Sequence, residues 1–423
     1  MQQDLYSKRV VEERTRKWLE DAYWSALAGH GDPEKGVYDP AGRIQHLDSL
    51  AFQIVLRKLK IFRWLDRFDF ESFIDIGSGF DHTPYLVRKR YGARSYYSDF
   101  AHSLNLPYGG AIHGKLDHAV TLNINRLPFA DDSFDVVLSS EVLEHLVRPI
   151  EAVGELLRVT RKYLVMTSLE ALSANRWERF LSHLRIDLAV PHVERNFFLL
   201  HELEDVFGAD WHHENLWHDS CLPASQFVSI GEQVRAYAPI RDTETFATAL
   251  CRALAIEDHR AGSMGILIVK TKPGAPIRPR SEALPLARWL VEQNAAAYAD
   301  GYRLIQQLRD GTAELVAKDR PVVPELLALL RCPDCRGPLT QRPAALSCAS
   351  CGSTFATEHG VPILYPKRED RRATEDDVSR LCGTDARRRR TLLRLMRRLR
   401  ANEAAPGVMR RFLQRVDRAL ART

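Results

Sequence analysis

The chain has 423 residues, 45% of them hydrophobic and 27% charged, with a formal net charge of +5. That length allows two or three domains, and the composition is globular. No apolar run approaches a membrane span and the first thirty residues lack a signal-peptide core, so a cytoplasmic protein is expected.

Taken in chain order, residues 5–27 predict a charged helical segment carrying Tyr6, Trp18, Tyr23 and Trp24. Residues 29–42 form an expected loop, punctuated by Gly29, Gly31, Pro33, Gly36 and Pro40. Asp48 is placed to cap a helix running to about Phe68, whose Phe52, Val55, Leu56, Leu59, Phe62 and Leu65 are spaced for one buried face. Then comes Phe73-Ile74-Asp75-Ile76-Gly77-Ser78-Gly79-Phe80, an apolar run ending in two close glycines, followed by the amphipathic segment Thr83 to Tyr91. This predicts strand, tight turn and helix, the first unit of a nucleotide-binding α/β sheet. Ser95-Tyr96-Tyr97-Ser98-Asp99 reads as a second strand. Its terminal acid lies about 20 residues past the glycines, where a carboxylate can bind ribose hydroxyls.

The stretch Leu127 to Ser140 predicts a turn rich in proline and aspartate and then a buried strand. Glu141-Val142-Leu143-Glu144-His145 is expected to open a helix, residues 150–160 a further helix, and Tyr163 to Thr167 the fifth strand. An insertion over 168–191 carries Trp177, Phe180, Leu181 and Leu184; insertions at strand carboxyl ends border the crevice of open α/β sheets. Ser263 to Lys270 predicts the last strand of the sheet, 274–279 a linker, and 282–317 an alanine-rich helix bridging two domains.

Together these motifs resemble class I S-adenosylmethionine-dependent methyltransferases, in the group with D-x-G-x-G, then L-P-F-x-D-x-S-F-D-x-V, then E-V-L-E-H. The resemblance covers roughly residues 70–205 and implies a Rossmann-like, seven-stranded α/β sheet. It implies that Asp75, Gly77, Ser78 and Gly79 form the donor turn, that Asp99 holds the ribose and Asn123 the adenine, and that Ser140 also borders the donor. Two positions depart from the pattern: Asp81 stands where the family has a third glycine, and Asn123 where it has aspartate. An asparagine can still donate to the adenine ring nitrogen and accept from its amino group. In this family, helices ahead of the first strand commonly cover the donor; a purely packing role is the competing reading. His192, in a segment resembling the family's H-V-R-x-F, and His145 are the candidate general bases, since histidine titrates near neutrality. A histidine that only hydrogen-bonds the pocket backbone is the alternative. The Asn/Asp-Pro-Pro-Tyr/Phe motif of amino-group methyltransferases is missing after the fourth strand, where Ser139-Ser140-Glu141-Val142 stands, which favours an oxygen acceptor.

Four of the seven cysteines form two pairs, Cys332-Pro333-Asp334-Cys335 and Cys348-Ala349-Ser350-Cys351, twelve residues apart. Gly337 and Gly352 follow the pairs and are expected to turn backbone amides toward the thiolates. Two such knuckles supply four soft ligands for a closed, structural zinc site, with iron as the competing ion. The flanks, Leu326 to Arg331 and His359 to Leu364, resemble those of the small zinc-ribbon activator that partners tRNA and translation-factor methyltransferases. That resemblance implies a ribbon packed on the methyltransferase. By contrast, Trp211 to His218 fails the H-E-x-x-H spacing, and His213 and His218 would not share a helix face.

Residues 386–423 interleave arginine with leucine, methionine and phenylalanine in two segments divided by Pro406-Gly407. Basic amphipathic helices favour an anionic membrane surface; RNA is the competing partner, and a solvated charged helix the third reading. The expected organisation is a helical cap over 1–69, the methyltransferase domain over 70–273, a linker and bridging helix over 274–324, the zinc ribbon over 325–368 and a basic helical tail over 369–423. The expected function is O-methylation of a small molecule or a glycan/lipid-linked intermediate, with the enzyme peripheral at the inner membrane surface. The alternatives are methylation of RNA or a translation protein, and a non-catalytic scaffold that binds partners through ribbon and tail.

Overall fold

The computed structural model describes residues 49–79, 82–100, 118–143, 146, 149–168, 242–255, 266–309, 312 and 320–367. The expected helix over 5–27, the insertion after Ser168, His192, His145, Asp81, the segment 211–218 and the basic tail lie outside the described residues.

Helix α1 (Ser49–Leu65) leads into strand β1 (Ser72–Ile76), helix α2 (Thr83–Tyr91) and strand β2 (Arg94–Asp99). Pro at the start of α2 and left-handed Gly92 at its end bound that helix. Strands β3 (Ala119–Leu122) and β4 (Phe134–Ser140) are followed by helix α3 (Pro149–Val159) and strand β5 (Thr160–Ser168). Helix α4 (Thr243–Ala255), strand β6 (Ile266–Thr271) and helix α5 (Ala283–Arg309) complete this part. The parallel strands run in the order β5-β4-β1-β2-β3, and β6 lies antiparallel on β5. Six strands of this part are therefore present among the described residues.

The pleat assigns side chains to two cores. Phe73, Val136, Leu138, Tyr163 and Val165 face α1, α4 and α5, whereas Ile74, Ile76, Val137, Leu164 and Met166 face α3 and the C-terminal unit. Helix α1 is a layer of the first core, with Leu59, Phe62 and Leu65 fully buried. The helix expected to bridge two domains is also in that core. Its Leu286, Ala287, Leu290, Val291 and Ala297 are buried, and its buried Asn294 accepts from the Lys58 ammonium of α1 at 2.9 Å. The segment expected as a linker is strapped to the sheet: Arg278 N–H donates to the Arg67 carbonyl at 2.7 Å and the Tyr163 hydroxyl to the Pro276 carbonyl at 2.5 Å.

The helix expected to open over Glu141 to His145 lies partly outside the described residues, which leave out 144, 145, 147 and 148. Glu141 itself has φ 56°, in the left-handed region, so it is not a residue of a right-handed helix, and the further helix expected over 150–160 is α3, Pro149–Val159. The backbone turns at Glu141 because Val142 tucks under the glycine turn of β1, as described below.

The C-terminal unit extends the same sheet. Helix α6 (Pro324–Leu329) precedes strands β7 (Leu339–Arg342), β8 (Ala345–Cys348), β9 (Thr354–Glu358) and β10 (Val361–Leu364). These continue the order as β3-β10-β9-β8-β7, a ten-stranded sheet in all. Strand β10 changes partner halfway: Val361 and Pro362 pair antiparallel with β9, and Ile363 and Leu364 pair parallel with Thr121 and Leu122 of β3. Proline, which cannot donate a ladder hydrogen bond, sits at the changeover.

The Leu127-Pro128-Phe129 turn is the seat of this unit. Arg331 N–H donates to the Pro128 carbonyl at 2.8 Å, and Phe129 bridges Leu330. Leu326, Leu330, Leu346, Phe355 and Leu364 share one core with Leu122, Ile124, Leu127 and Phe129. Polar contacts ring this core. The Arg126 guanidinium donates to the Pro333 and Asp334 carbonyls at 2.6 and 3.0 Å, and Arg336 donates to Glu155 of α3 at 2.6 Å. Glu155 also accepts from Arg158 at 2.9 Å and from Leu127 N–H at 2.8 Å.

Burial alone would push the Glu155 carboxyl up, but the hydrogen bonds from Arg158 and Arg336 outweigh it and hold it below the usual range. A depressed folded pKa means that the contribution to stability is complete above the unfolded glutamate value of about 4.3. It is lost as pH falls through the folded value. Glu155→Gln should lower stability by roughly 1.5–3 kcal/mol and flatten the acid limb of the stability–pH curve. Hydrogen exchange should show the loss first in residues 325–367.

Candidate functional site

The residues expected to hold the donor converge at the carboxyl ends of β1 to β4. In the strand order, β1 lies between β2 and β4, so the chain leaves β1 in one direction and returns on the other side. That switch point opens a crevice in a parallel sheet. Gly77 and Gly79 turn there with φ 85° and 54°, conformations that side chains oppose. Space is a second constraint at Gly77, where an added Cβ would stand 2.4 Å from Cγ2 of Val142.

The turn is fastened to β2. Gly77 and Ser78 N–H groups both donate to the Ser98 carbonyl, at 2.9 and 2.8 Å. The Ser98 hydroxyl donates to the Asp75 carbonyl at 2.8 Å, and Gly79 N–H donates to Oδ2 of Asp99 at 2.9 Å. Asp75 and Asp99 are both buried. Asp99 therefore has a structural duty that the sequence did not show: one carboxylate oxygen holds the glycine turn, beside the position expected for the ribose.

Asn123 lies just beyond β3, as expected, but its Oδ1 accepts from Asn125 N–H at 2.9 Å and caps a short 3-10 helix over Ile124–Arg126. The amide oxygen thus already carries one bond. Ser140 ends β4, and its hydroxyl pairs with that of Thr167 at 2.8 Å, on the β5 side and away from the glycine turn. Two groups that the sequence reading missed lie beside the turn. Arg57 of α1 reaches Glu141 at 3.4 Å, and the second oxygen of Glu141 is buried without a hydrogen-bond partner. The left-handed backbone at Glu141 is the kind of local strain that marks functional sites, and no sequence signal announces it. His82, at the start of α2, is fully buried; burial and then the Lys58 charge push its pKa down to about 3, so it is neutral.

The four cysteines form a second site. Cys332, Cys335, Cys348 and Cys351 place their sulfurs within 4.8 Å of one another, with Cys332–Cys351 at 3.7 Å and Cys335–Cys348 at 3.4 Å. A tetrahedron with metal–sulfur bonds of about 2.3 Å has edges of about 3.8 Å, so the cluster could hold zinc. The two knuckles repeat one backbone design. Cys332 N–H donates to the Gly337 carbonyl and Arg336 N–H to the Cys332 carbonyl; Cys348 N–H donates to the Ser353 carbonyl and Gly352 N–H to the Cys348 carbonyl. The residues at the left-handed corner are Arg336 (φ 65°) and Gly352 (φ 73°). The sequence reading assigned the first corner to Gly337. That glycine serves closeness instead, since a Cβ there would meet Oγ of Ser350 at 2.4 Å. Arg336 occupies a corner that favours glycine, and its side chain is the one that reaches Glu155.

Among the described residues, no helix is long and apolar enough to cross a membrane.

Comparison with known proteins agrees with the crevice. Residues 74–165 match the family described as a methyltransferase domain. An uncharacterized methyltransferase of Mycobacterium avium is 63% identical over 35 residues, which is 8% of this chain and 14% of that protein. One of Mycobacterium tuberculosis is 47% identical over 53 residues, 12% of this chain and 21% of that protein. The chain thus spans between about one seventh and one fifth of the length of these curated relatives. Among solved structures, a SAM-dependent methyltransferase of Archaeoglobus fulgidus aligns at 18% identity and TM-score 0.31, covering 52% of this chain and 94% of that one. A complex that contains the Haloferax volcanii Trm112 methyltransferase activator aligns at 14% identity and TM-score 0.37, covering 62% of this chain and 97% of that one.

Two outcomes are expected. Gly77→Ala should destabilise the protein by roughly 1–3 kcal/mol through overpacking and backbone strain, and adding Val142→Ala should recover the packing part only; thermal denaturation of the three variants checks this. Protein purified without chelator should carry one zinc or iron per chain by elemental analysis, and stripping it should unfold residues 325–367.

Proposed function

We propose that this protein is an S-adenosylmethionine-dependent methyltransferase whose C-terminal unit is a zinc ribbon acting on its own catalytic domain. The observation that carries the reading is the crevice at the switch point, where a doubly left-handed glycine turn and the buried Asp99 carboxylate meet in a segment that matches a methyltransferase domain. The donor set fits such a ligand. Asp99 is a carboxylate of the kind that binds ribose hydroxyls, Asn123 carries an amide of the kind that pairs with an adenine edge, and the turn lets backbone approach closely. Bound there, S-adenosylmethionine supplies an electrophilic methyl group on a sulfonium.

The protein's own contribution is mainly orientation and exclusion of water. Gly77 and Gly79 shape the turn, and Ser98 holds it against β2. Arg57 and Glu141 set opposite charges beside it. His192 and His145 remain the candidate bases for an oxygen acceptor, by their place in the motifs. The four thiolates leave no open coordination position, so the metal would be structural, and the ribbon would seal the β3 edge.

We infer an oxygen acceptor on a small molecule or a glycan/lipid-linked intermediate, because the motif that clamps an amino group is missing where β4 gives way to Glu141. Methylation of RNA or a translation protein is a second reading, favoured by the seat of the ribbon on β3, since the ribbon resembles the activator of such enzymes. Incubating the protein and radiolabelled donor with fractionated cell extract separates them: label in small-molecule or lipid fractions supports the first, and label in RNA or protein the second. A chain that neither binds donor nor transfers label is a scaffold.

Asp99→Asn keeps an oxygen for Gly79 N–H but loses the charge toward the ribose. Donor affinity measured by calorimetry should fall by roughly 10- to 100-fold, the worth of a charge-assisted hydrogen bond of about 1.5–3 kcal/mol. An unchanged affinity would remove Asp99 from the donor site.

A further inference from the structure

The ribbon does more than cover an edge strand. Past the paired Leu364 and Leu122, the next residue of the ribbon is Tyr365, abreast of Asn123 at the carboxyl end of the sheet. Its hydroxyl donates to the Phe100 carbonyl, and its ring meets the Phe100 ring edge-on, with centroids 5.4 Å apart at 67°. Phe100 directly follows Asp99, whose Oδ2 holds Gly79 N–H at 2.9 Å. The other end of this connection is anchored in the first knuckle. Lys367 N–H donates to Oδ1 of Asp334 at 2.8 Å, and Oδ2 of Asp334 accepts from the Ser353 hydroxyl at 2.7 Å. Asp334 lies between Cys332 and Cys335, and Ser353 sits two residues past Cys351. Hydrogen bonds at Asp334, Lys367 and Tyr365, joined by the backbone through Pro366 and from Phe100 to Asp99, therefore link the cysteine cluster to Asp99.

We propose that Tyr365 is a positioning residue for the donor site: by holding Phe100 from both its carbonyl and its ring, it fixes the Asp99 carboxylate against the glycine turn. This rests on the methyltransferase reading of the crevice. The residue after β2 is the first of a long connection, and a backbone that leaves a strand unpaired loses its ladder partners there. Tyr365 supplies a donor to the Phe100 carbonyl from the C-terminal unit. An aromatic ring brings a large contact and loses little conformational entropy, because two torsions fix it. The ribbon thereby contributes to the affinity for the donor, and its metal contributes through Asp334.

The test uses the full metal-loaded chain with S-adenosylhomocysteine as the probe, measured by calorimetry. Tyr365→Phe keeps the ring and removes the hydroxyl. It should weaken binding by roughly 3- to 10-fold, the range that follows from one lost hydrogen bond. The melting temperature and the metal content should stay at parental values. In a cycle with Asp99→Asn, the double variant should bind no more weakly than Asp99→Asn alone, because the hydroxyl acts through that carboxylate. A merely structural tyrosine would lower the melting temperature or the metal content and give additive losses. Parental affinity in Tyr365→Phe, or additive losses in the double variant, overturns the assignment. If the parent chain itself fails to bind S-adenosylhomocysteine, the donor reading falls first and this one with it. Binding by the parent but no effect in the variant overturns the positioning role alone.

Discussion

The architecture depends on one short parallel pairing, that of Ile363 and Leu364 with Thr121 and Leu122. Without it, β3 would be the edge of a parallel sheet, with a row of unpaired backbone groups and an apolar face formed by Leu122, Ile124, Leu127 and Phe129. Parallel sheets are normally covered on both faces, and helices α1, α4 and α5 supply one cover while α3 supplies only part of the other. The C-terminal unit over 324–364 completes it. The sequence reading took the segment around Pro128 only as a turn ahead of β4. Here the same backbone receives Arg331 and borders the shared core.

Charged groups are divided between the two ends of the strands. At the amino ends, Asp135 accepts from Glu71 N–H and from Arg161, and on the helical face Asp66 accepts from Arg90, Tyr91 and Ser281. In both cases burial would raise the carboxyl, but the hydrogen bonds prevail and it stays ionised below its ordinary range. These carboxylates are saturated by neighbours and hold elements together. At the carboxyl ends the pattern differs. Asp99 holds the glycine turn through one oxygen, and Glu141 has one oxygen toward Arg57 and one buried without a partner. A buried carboxylate oxygen without a partner calls for an explanation, and a ligand site is one.

The glycine turn, Asp99 and the four cysteines were legible in the sequence because each answers a local demand: left-handed backbone at Gly77, an acid at a strand end, four sulfurs at fixed spacing. Three features were not. Glu141 to His145 is made of helix formers, yet the chain kinks at Glu141 because Val142 must pack against Gly77, a contact between residues 65 positions apart. The helix from Ala283 to Arg309 looked like a spacer because its stripe is rich in alanine; only the facing Phe62 and Leu250 make that stripe a core. The docking of the ribbon rests on Arg126, Glu155 and Arg336, lone charges on three segments whose complementarity exists only after folding. One trace was available: an arginine at a knuckle corner where glycine is cheaper, a substitution that implies employment for its side chain.

The β3–β10 pairing also sets an order of events during synthesis. Thr121 and its partner Ile363 are 242 residues apart. At elongation rates of about 5–20 residues per second, the catalytic sheet emerges with its β3 edge open for roughly 12–48 s before the strand that closes it is made. An open, apolar strand edge is a template for pairing with other chains during that interval. Because the closing strand belongs to the same chain as the edge that it covers, it arrives at the high effective concentration of a tethered segment. The closing strand is made after the edge that it covers, so vulnerability to misassembly is shifted in time rather than abolished, and it ends when Ile363 and Leu364 pair with β3.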